Sequence, residues 1–323
     1  LFSYLLPSRY WILIGPIVTL VLTYIAIRKL SGKLPVDGGR ENTVDGAVAK
    51  GKPTSAGIIF ISCMFIGIGL FHKITWKFAL MYLCAFVAAI CGYLDDRKPW
   101  GALTKGITDI FVAVGSATLA SVLFPRTIYI FTLDLQFTIP VPLYILMAAC
   151  LVWGSINVAN ATDGVDGLCG SLSIISTATF FLMTILCTRS LQQNNAMFSV
   201  MIYLVVVLGV YLWFNCHPST LLMGDSGSQA IGVLLAFFAL ATANPFSYII
   251  ICLPQILDGG SSLLKLAVRR VTKKKFMESI RTPLHDHCRK NWNWSIGKVT
   301  ERYVLLHVSL EVIYLIFLFL RLN

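Results

Sequence analysis

Residues 141–187 read VPLYILMAACLVWGSINVANATDGVDGLCGSLSIISTATFFLMTILC. Two apolar runs, 141–156 and 168–187, frame a polar stretch. Within 157–170 stand two aspartates, two asparagines and three glycines, with no cation among them. A bilayer crossing takes about 20 mostly apolar residues, so each run predicts a span. Eight further runs of this kind bring the set to ten: 10–30, 55–72, 77–94, 107–125, 141–158, 168–187, 197–214, 228–243, 247–268 and 302–321. Open sheets leave backbone groups unsatisfied in lipid, so the spans are helices. The sequence predicts an all-α, polytopic membrane protein of about ten transmembrane helices, one integral membrane domain over residues 1–323.

The composition agrees. Of 323 residues, 57% are hydrophobic and only 13% charged, with mean hydropathy +0.77, where a soluble domain carries about 25% charge. The net charge of +11 does not point to nucleic acid, because its distribution follows topology. Alternate gaps between spans hold 20 of the 26 Lys and Arg, and the other gaps hold six. The positive-inside rule makes the richer set cytoplasmic and puts both termini outside. The nine cysteines are scattered without a CxxC pair and read as apolar packing residues. The first apolar run reads as a span rather than a cleavable signal peptide.

Two local features stand out. The outward gap PRTIYIFTLDLQFTIP, 125–140, alternates around Asp134 and predicts a short hairpin. Span nine contains Pro254, Gly259 and Gly260, which break a helix. Its continuation, LLKLAVRRVTKKKF (263–276), is part basic and part apolar and is expected to lie along the inner surface.

Only 15 residues are acidic. Asp95 and Asp96 end span three in CGYLDDRKPWG, Asp163 and Asp166 lie between spans five and six, and Asp225 precedes span eight in FNCHPSTLLMGDSGSQAIG. Each has an ordinary explanation taken alone: a helix cap for Asp225, turn signals for TDG and VDG, a solvated helix end for Asp95–Asp96. Their convergence on one face decides for function. The spacing of three places Asp163 and Asp166 on one side of a helical turn. Gly164, Gly167 and Gly170 share the spacing, suited either to ligand approach or to helix packing. Clustered carboxylates need a cation. Hard oxygen donors without a His/Cys set favour Mg²⁺ or Mn²⁺, usually shared with substrate phosphates. No GxxxxGK[ST] is present, which argues against ATP hydrolysis.

These pieces resemble the polyprenyl-phosphate N-acetylhexosamine-1-phosphate transferases, and within them the muramoyl-pentapeptide branch. The matching segments are KPTSAG at 52–57, LDD at 94–96, NVANATDGVDGL at 157–168, MGDSGS at 223–228 and TPLHDH at 282–287, in family order. The resemblance implies transfer of a phospho-sugar from UDP-MurNAc-pentapeptide to undecaprenyl phosphate, with UMP released, Mg²⁺ required and the site on the cytoplasmic face of a bacterial membrane. It implies Asp225 as the magnesium ligand and places Asp95 and Asp96 near the phosphates, either one orienting or deprotonating the lipid phosphate. It implies a donor pocket of Asn157, Asn160, Asp163, Asp166 and Asn215, phosphate contacts from Lys105, further contacts from Lys52 and Thr54, and a closing loop with His285 and His287. A homodimer through outer spans is also implied. The chain departs from the family where a triple histidine reads HDH, where TPTMGG reads KPTSAG, and where Leu222 and Met223 replace an aromatic before GD. A UDP-GlcNAc-specific transferase is the neighbouring alternative. A secondary transporter, which Asp258 suits best, and a membrane scaffold are the alternatives from other classes.

Overall fold

The computed structural model of the chain describes residues 8–39, 49–131, 133–187, 195–273 and 276–322. Arg40, Arg189, Lys274 and Lys275, which entered the charge count, lie outside the described residues. The molecule is a helical bundle: α1 (Ser8–Leu30), α2 (Ala56–Phe71), α3 (Trp76–Arg97), α4 (Ala102–Leu123), α5 (Val141–Thr162), α6 (Leu168–Cys187), α7 (Asn195–Asn215) and α8 (Gly224–Ala241). A broken segment follows, then a short α11 (Leu284–Lys290) and a long α12 (Ile296–Leu322). Among the described residues eight helices are long and apolar enough to cross a membrane, and α2 is a shorter apolar helix of 16 residues. The one hairpin among the described residues, β1 (Thr127–Ile130) with β2 (Leu135–Thr138), falls where alternation predicts it, with Thr127 opposite Thr138.

Helix α8 is the axis of the bundle. It is 94% buried, and α3, α5 and α2 pack around it. Glycine makes the approach possible. A Cβ on Gly57 of α2 would stand 2.0 Å from the Gly227 nitrogen, and one on Gly92 of α3 would stand 2.3 Å from the Asp225 carbonyl carbon. Close backbone contact of this kind is how helices associate where lipid offers no hydrophobic drive.

The predicted ninth span is broken, as Pro254 and the glycine pair require. It runs as α9 (Ser247–Ile251), a turn at Leu253–Gln255, a π-helical turn at Ile256–Gly260, and α10 (Ser261–Thr272). The Ile251 carbonyl at the break is taken by Ser176 Oγ at 3.2 Å and by His307 Nε2 at 2.8 Å, so protein satisfies what the helix does not. No residue of α10 is buried.

The last helix begins at Ile296, not 302, and three further differences from the sequence reading bear on the cavity. Helix α4 begins at Ala102, not 107, and α8 at Gly224, not 228, so Lys105 and Asp225 are helical rather than in loops. Residues 163–167 are not helical, which corrects the expectation for Asp163 and Asp166: α5 stops at Thr162, and Gly167, at φ +76°, turns the chain into α6. Glycine takes that backbone conformation without a Cβ penalty.

Candidate active site

The KPTSAG and MGDSGS segments meet through the backbone. Leu222 N–H donates to the Pro53 carbonyl at 2.8 Å, Ala56 N–H to Leu222 at 3.1 Å and Gly57 N–H to Met223 at 3.1 Å. This stitching places the start of α2 against the start of α8. Gly224 adopts φ +70° there, and a Cβ on it would collide with Asp96 Oδ2 at 2.3 Å and Ser55 N at 2.6 Å. The glycine before Asp225 is therefore demanded twice, by conformation and by space.

The last turn of α3 supplies both carboxylates of the LDD motif, and the two do different work. Asp96 accepts from Ser55 Oγ at 2.5 Å, from Asp225 N–H at 3.1 Å and from Ser226 N–H at 3.4 Å. It is thus a half-buried acceptor at the positive end of α8. Asp95 accepts from Trp100 N–H at 2.6 Å through Oδ1, and its Oδ2 lies 3.2 Å from Lys105 Nζ. The Lys105 ammonium also donates to Asp225 Oδ2. Asp225 Oδ1 accepts from Asn160 Nδ2 at 2.7 Å, and that amide also reaches Ser228 Oγ at 3.1 Å. Asp225 is in the first turn of α8 but makes no side-chain cap, so the capping explanation fails.

The opposite wall is the turn after α5. Asp166 accepts from Ser219 N–H at 3.0 Å and Ser219 Oγ at 2.7 Å, pairs with His217 Nδ1 at 3.0 Å, and lies 4.0 Å from Lys52 Nζ. Burial works to raise its carboxyl, but these donors and the lysine charge outweigh burial and hold it below the usual carboxylate range. Asn215 spends its amide on the backbone, accepting from Gly167 N–H at 2.9 Å and donating to the Leu221 carbonyl at 2.8 Å, so it ties the two loops together.

A cavity of about 600 Å³ lies between these walls. Asp95, Asp96, Lys105, Asn160, Asp225, Lys52, Thr54, Asp163, Asp166 and Asn215 all line it. Three predicted residues are not on its wall. Asn157 donates to the Trp153 carbonyl at 2.9 Å and meets Asp109. His285 is buried behind Gly164, with 2% of its surface exposed. His287 accepts from Arg281 N–H at 3.2 Å and stacks edge-on against Trp292. Sequence reasoning missed Ser55, Trp100 and Asp109. Trp100 is an aromatic on the cavity wall, in the very motif quoted for Asp95. Asp109 is 5% exposed and one helical turn beyond Lys105, a spacing that could have flagged it.

Among the described residues no group of three or more His, Cys, Asp or Glu forms a ready metal cage. What is present is narrower. Asp95 Oδ2 and Asp225 Oδ2 converge on one cationic point, the Lys105 ammonium. Two hard carboxylates that can share a cation, beside a cavity with room for phosphates, fit Mg²⁺ and not a soft metal.

Residues 78–243 match the model of glycosyl transferase family 4. The chain is also 34% identical to the phospho-N-acetylmuramoyl-pentapeptide-transferase of Treponema pallidum (strain Nichols) over 296 residues, 86% of this chain and 81% of that one. The chain belongs to glycosyl transferase family 4. Proteins of the same name resemble this family 4 chain over nearly its whole length. The one from Borrelia garinii subsp. bavariensis is 28% identical over 97% of this chain and 92% of its own. The one from Clostridium acetobutylicum is 27% identical over 97% of both. The family region of 78–243 spans the LDD, NVANATDGVDGL and MGDSGS motifs, whose aspartates all stand on the cavity wall.

Proposed function

We propose that this chain transfers phospho-N-acetylmuramoyl-pentapeptide from its UDP donor to undecaprenyl phosphate, releasing UMP and forming lipid I for peptidoglycan synthesis. The observation that carries the proposal is that the Asp95–Lys105–Asp225 bridge and the Lys52–Asp166 pair line one cavity. Such a site suits a diphosphate: cations meet its charge, and oxygen donors hold a divalent ion.

In the reaction, an oxygen of the lipid phosphate attacks the sugar-bearing phosphorus of the donor. The bond from that phosphorus to the uridylyl phosphate oxygen breaks, and UMP leaves with the electron pair. A phosphate monoester has its second pKa near 6, so the nucleophile is largely ionised at neutral pH without a strong base. Asp225, with Asp95, would hold Mg²⁺, which when bound neutralises the diphosphate. Lys105 carries positive charge to the same phosphates, and Asn160 fixes the Asp225 carboxylate. Asp96 aligns the first turn of α8 rather than taking a proton. Asp163, Lys52 and Thr54 bind the donor from the facing wall, and Trp100 offers the nucleobase an apolar face. Positioning and charge neutralisation then supply the acceleration.

The same reading gives ten crossings, with α2 as the second and the broken α9–α10 segment as the ninth. Both termini face outward, the cavity opens to the bacterial cytoplasm, and α10 lies on the inner membrane surface. The working unit is a homodimer. A transporter would need Asp258 as an ion carrier, but three donors from His285 and Tyr303 fill that carboxylate.

The test is UMP release by purified protein given undecaprenyl phosphate, Mg²⁺ and either UDP-MurNAc-pentapeptide or UDP-GlcNAc. Release with the first donor, abolished by EDTA and restored by Mg²⁺, is expected. Release with UDP-GlcNAc alone would reassign the donor, and release with neither from folded protein would overturn the transferase reading.

A further inference from the structure

Behind the cavity lies a second carboxylate–histidine arrangement. Asp258, in the π-helical turn, is fully buried. Its Oδ1 accepts from His285 N–H at 2.7 Å and from the Tyr303 hydroxyl at 3.0 Å, and its Oδ2 lies 2.8 Å from His285 Nδ1. A carboxylate only accepts, so Nδ1 carries the proton. The opposite edge of the ring presses on the turn after α5. A Cβ on Gly164 would come 2.4 Å from His285 Nε2 and 2.8 Å from Cε1. That turn carries Asp163 and Asp166 to the cavity wall, whereas His285 is not on the wall. His287 is engaged with Arg281 and Trp292 of its own loop.

We propose that Asp258 and His285 are positioning residues, a buried strut that sets the Asp163–Asp166 turn from behind. The last loop then governs donor binding without His285 touching the donor. Three donors pin Asp258 and Asp258 pins the ring, so the turn can be no nearer than the ring allows. Gly164 is the residue that permits the contact at all. This inference rests on the donor occupying the cavity described above.

The experiment compares Gly164→Ala, Asp258→Asn and Tyr303→Phe, varying donor and lipid phosphate separately. Gly164→Ala and Asp258→Asn are each expected to raise the donor KM about tenfold, with acceptor KM changed less than about twofold. Tyr303→Phe, which removes one of three donors, should give a smaller rise in the same direction. Because the two larger changes act through one ring, the double variant should raise donor KM by less than the product of the singles. Donor KM within about twofold of wild type in both Gly164→Ala and Tyr303→Phe would overturn the strut even if Asp258→Asn failed to fold. A read-out without turnover separates this from failure of the transferase reading. Amide hydrogen exchange at residues 163–168 should quicken in Gly164→Ala and Tyr303→Phe but not at residues 52–57. Unchanged exchange there refutes the strut whatever the protein catalyses.

Discussion

Replacing Gly92 with alanine tests how the two acidic segments are held together. A Cβ at Gly92 would stand 2.3 Å from the Asp225 carbonyl carbon and 2.4 Å from both the Asp225 oxygen and the Ser226 nitrogen. Non-bonded carbons rest about 3.5–4.0 Å apart, so α3 and α8 must separate by roughly 1.2 Å or more. The obstructing atoms are backbone and cannot rotate aside. Asp95 and Asp96 follow Gly92 within about one helical turn, so the same shift carries them away from Asp225. The Asp225 N–H to Asp96 bond, 3.1 Å long, would be lost, and the Lys105 bridge would be stretched. A misplacement of about 1 Å costs on the order of 100-fold in rate, and overpacking of this kind costs about 1–3 kcal/mol in stability. The expected result in the UMP-release assay is a kcat about 100-fold lower, with a modest fall in Tm. Gly115→Ala is the control, since Gly115 is exposed and nothing lies within 4 Å of its added Cβ. A Gly92→Ala enzyme with kcat within about threefold of wild type would refute the claim that this contact sets the site.

Other expectations follow from the same geometry. Asp225→Ala should abolish turnover while Tm shows a folded protein; near-normal UMP release would remove Asp225 from the centre. Asp163→Ala should raise the donor KM or stop the reaction, and an unchanged donor dependence would take it out of the pocket. Asp166, whose folded carboxyl is held below its ordinary range, stabilises the fold fully above the unfolded value of about 3.9. That contribution is lost as pH falls through the lower folded value, so Asp166→Asn should lower Tm near neutral pH and lessen its decline in acid. An identical acid limb in the two proteins would show that Asp166 contributes none of it.

Hydropathy is a local property, and so the apolar spans were legible in the chain itself. The break at Pro254, the hairpin around Asp134 and the acids of the cavity wall were legible for similar reasons: each rests on a residue type with a strong local rule. Partnership was not legible. The three-residue spacing of Asp163 and Asp166 looks helical until Gly167 is seen to turn the chain. Lys105 looks like a loop residue until α4 starts early and swings its ammonium between Asp95 and Asp225. Asp96 is indistinguishable from Asp95 in sequence, and only Ser55 and the α8 backbone reveal that it is spent on alignment. His285 and His287 lie two apart, yet one packs behind the Asp163–Asp166 turn and the other meets Arg281 and Trp292 of its own loop. Those assignments depend on residues distant in the chain, which no periodicity encodes.

Helix α8 is the least apolar of the eight long spans and the most enclosed. Its sequence has no reason to favour lipid, because the finished protein never shows it lipid. A segment like this gains little by entering the bilayer on its own and needs its neighbours to receive it. Those neighbours, α2, α3 and α5, all precede it in the chain. The order of the chain would thus let earlier helices form the receptacle into which α8 brings Asp225. Until that insertion is complete the cavity lacks the wall that Asp225 forms.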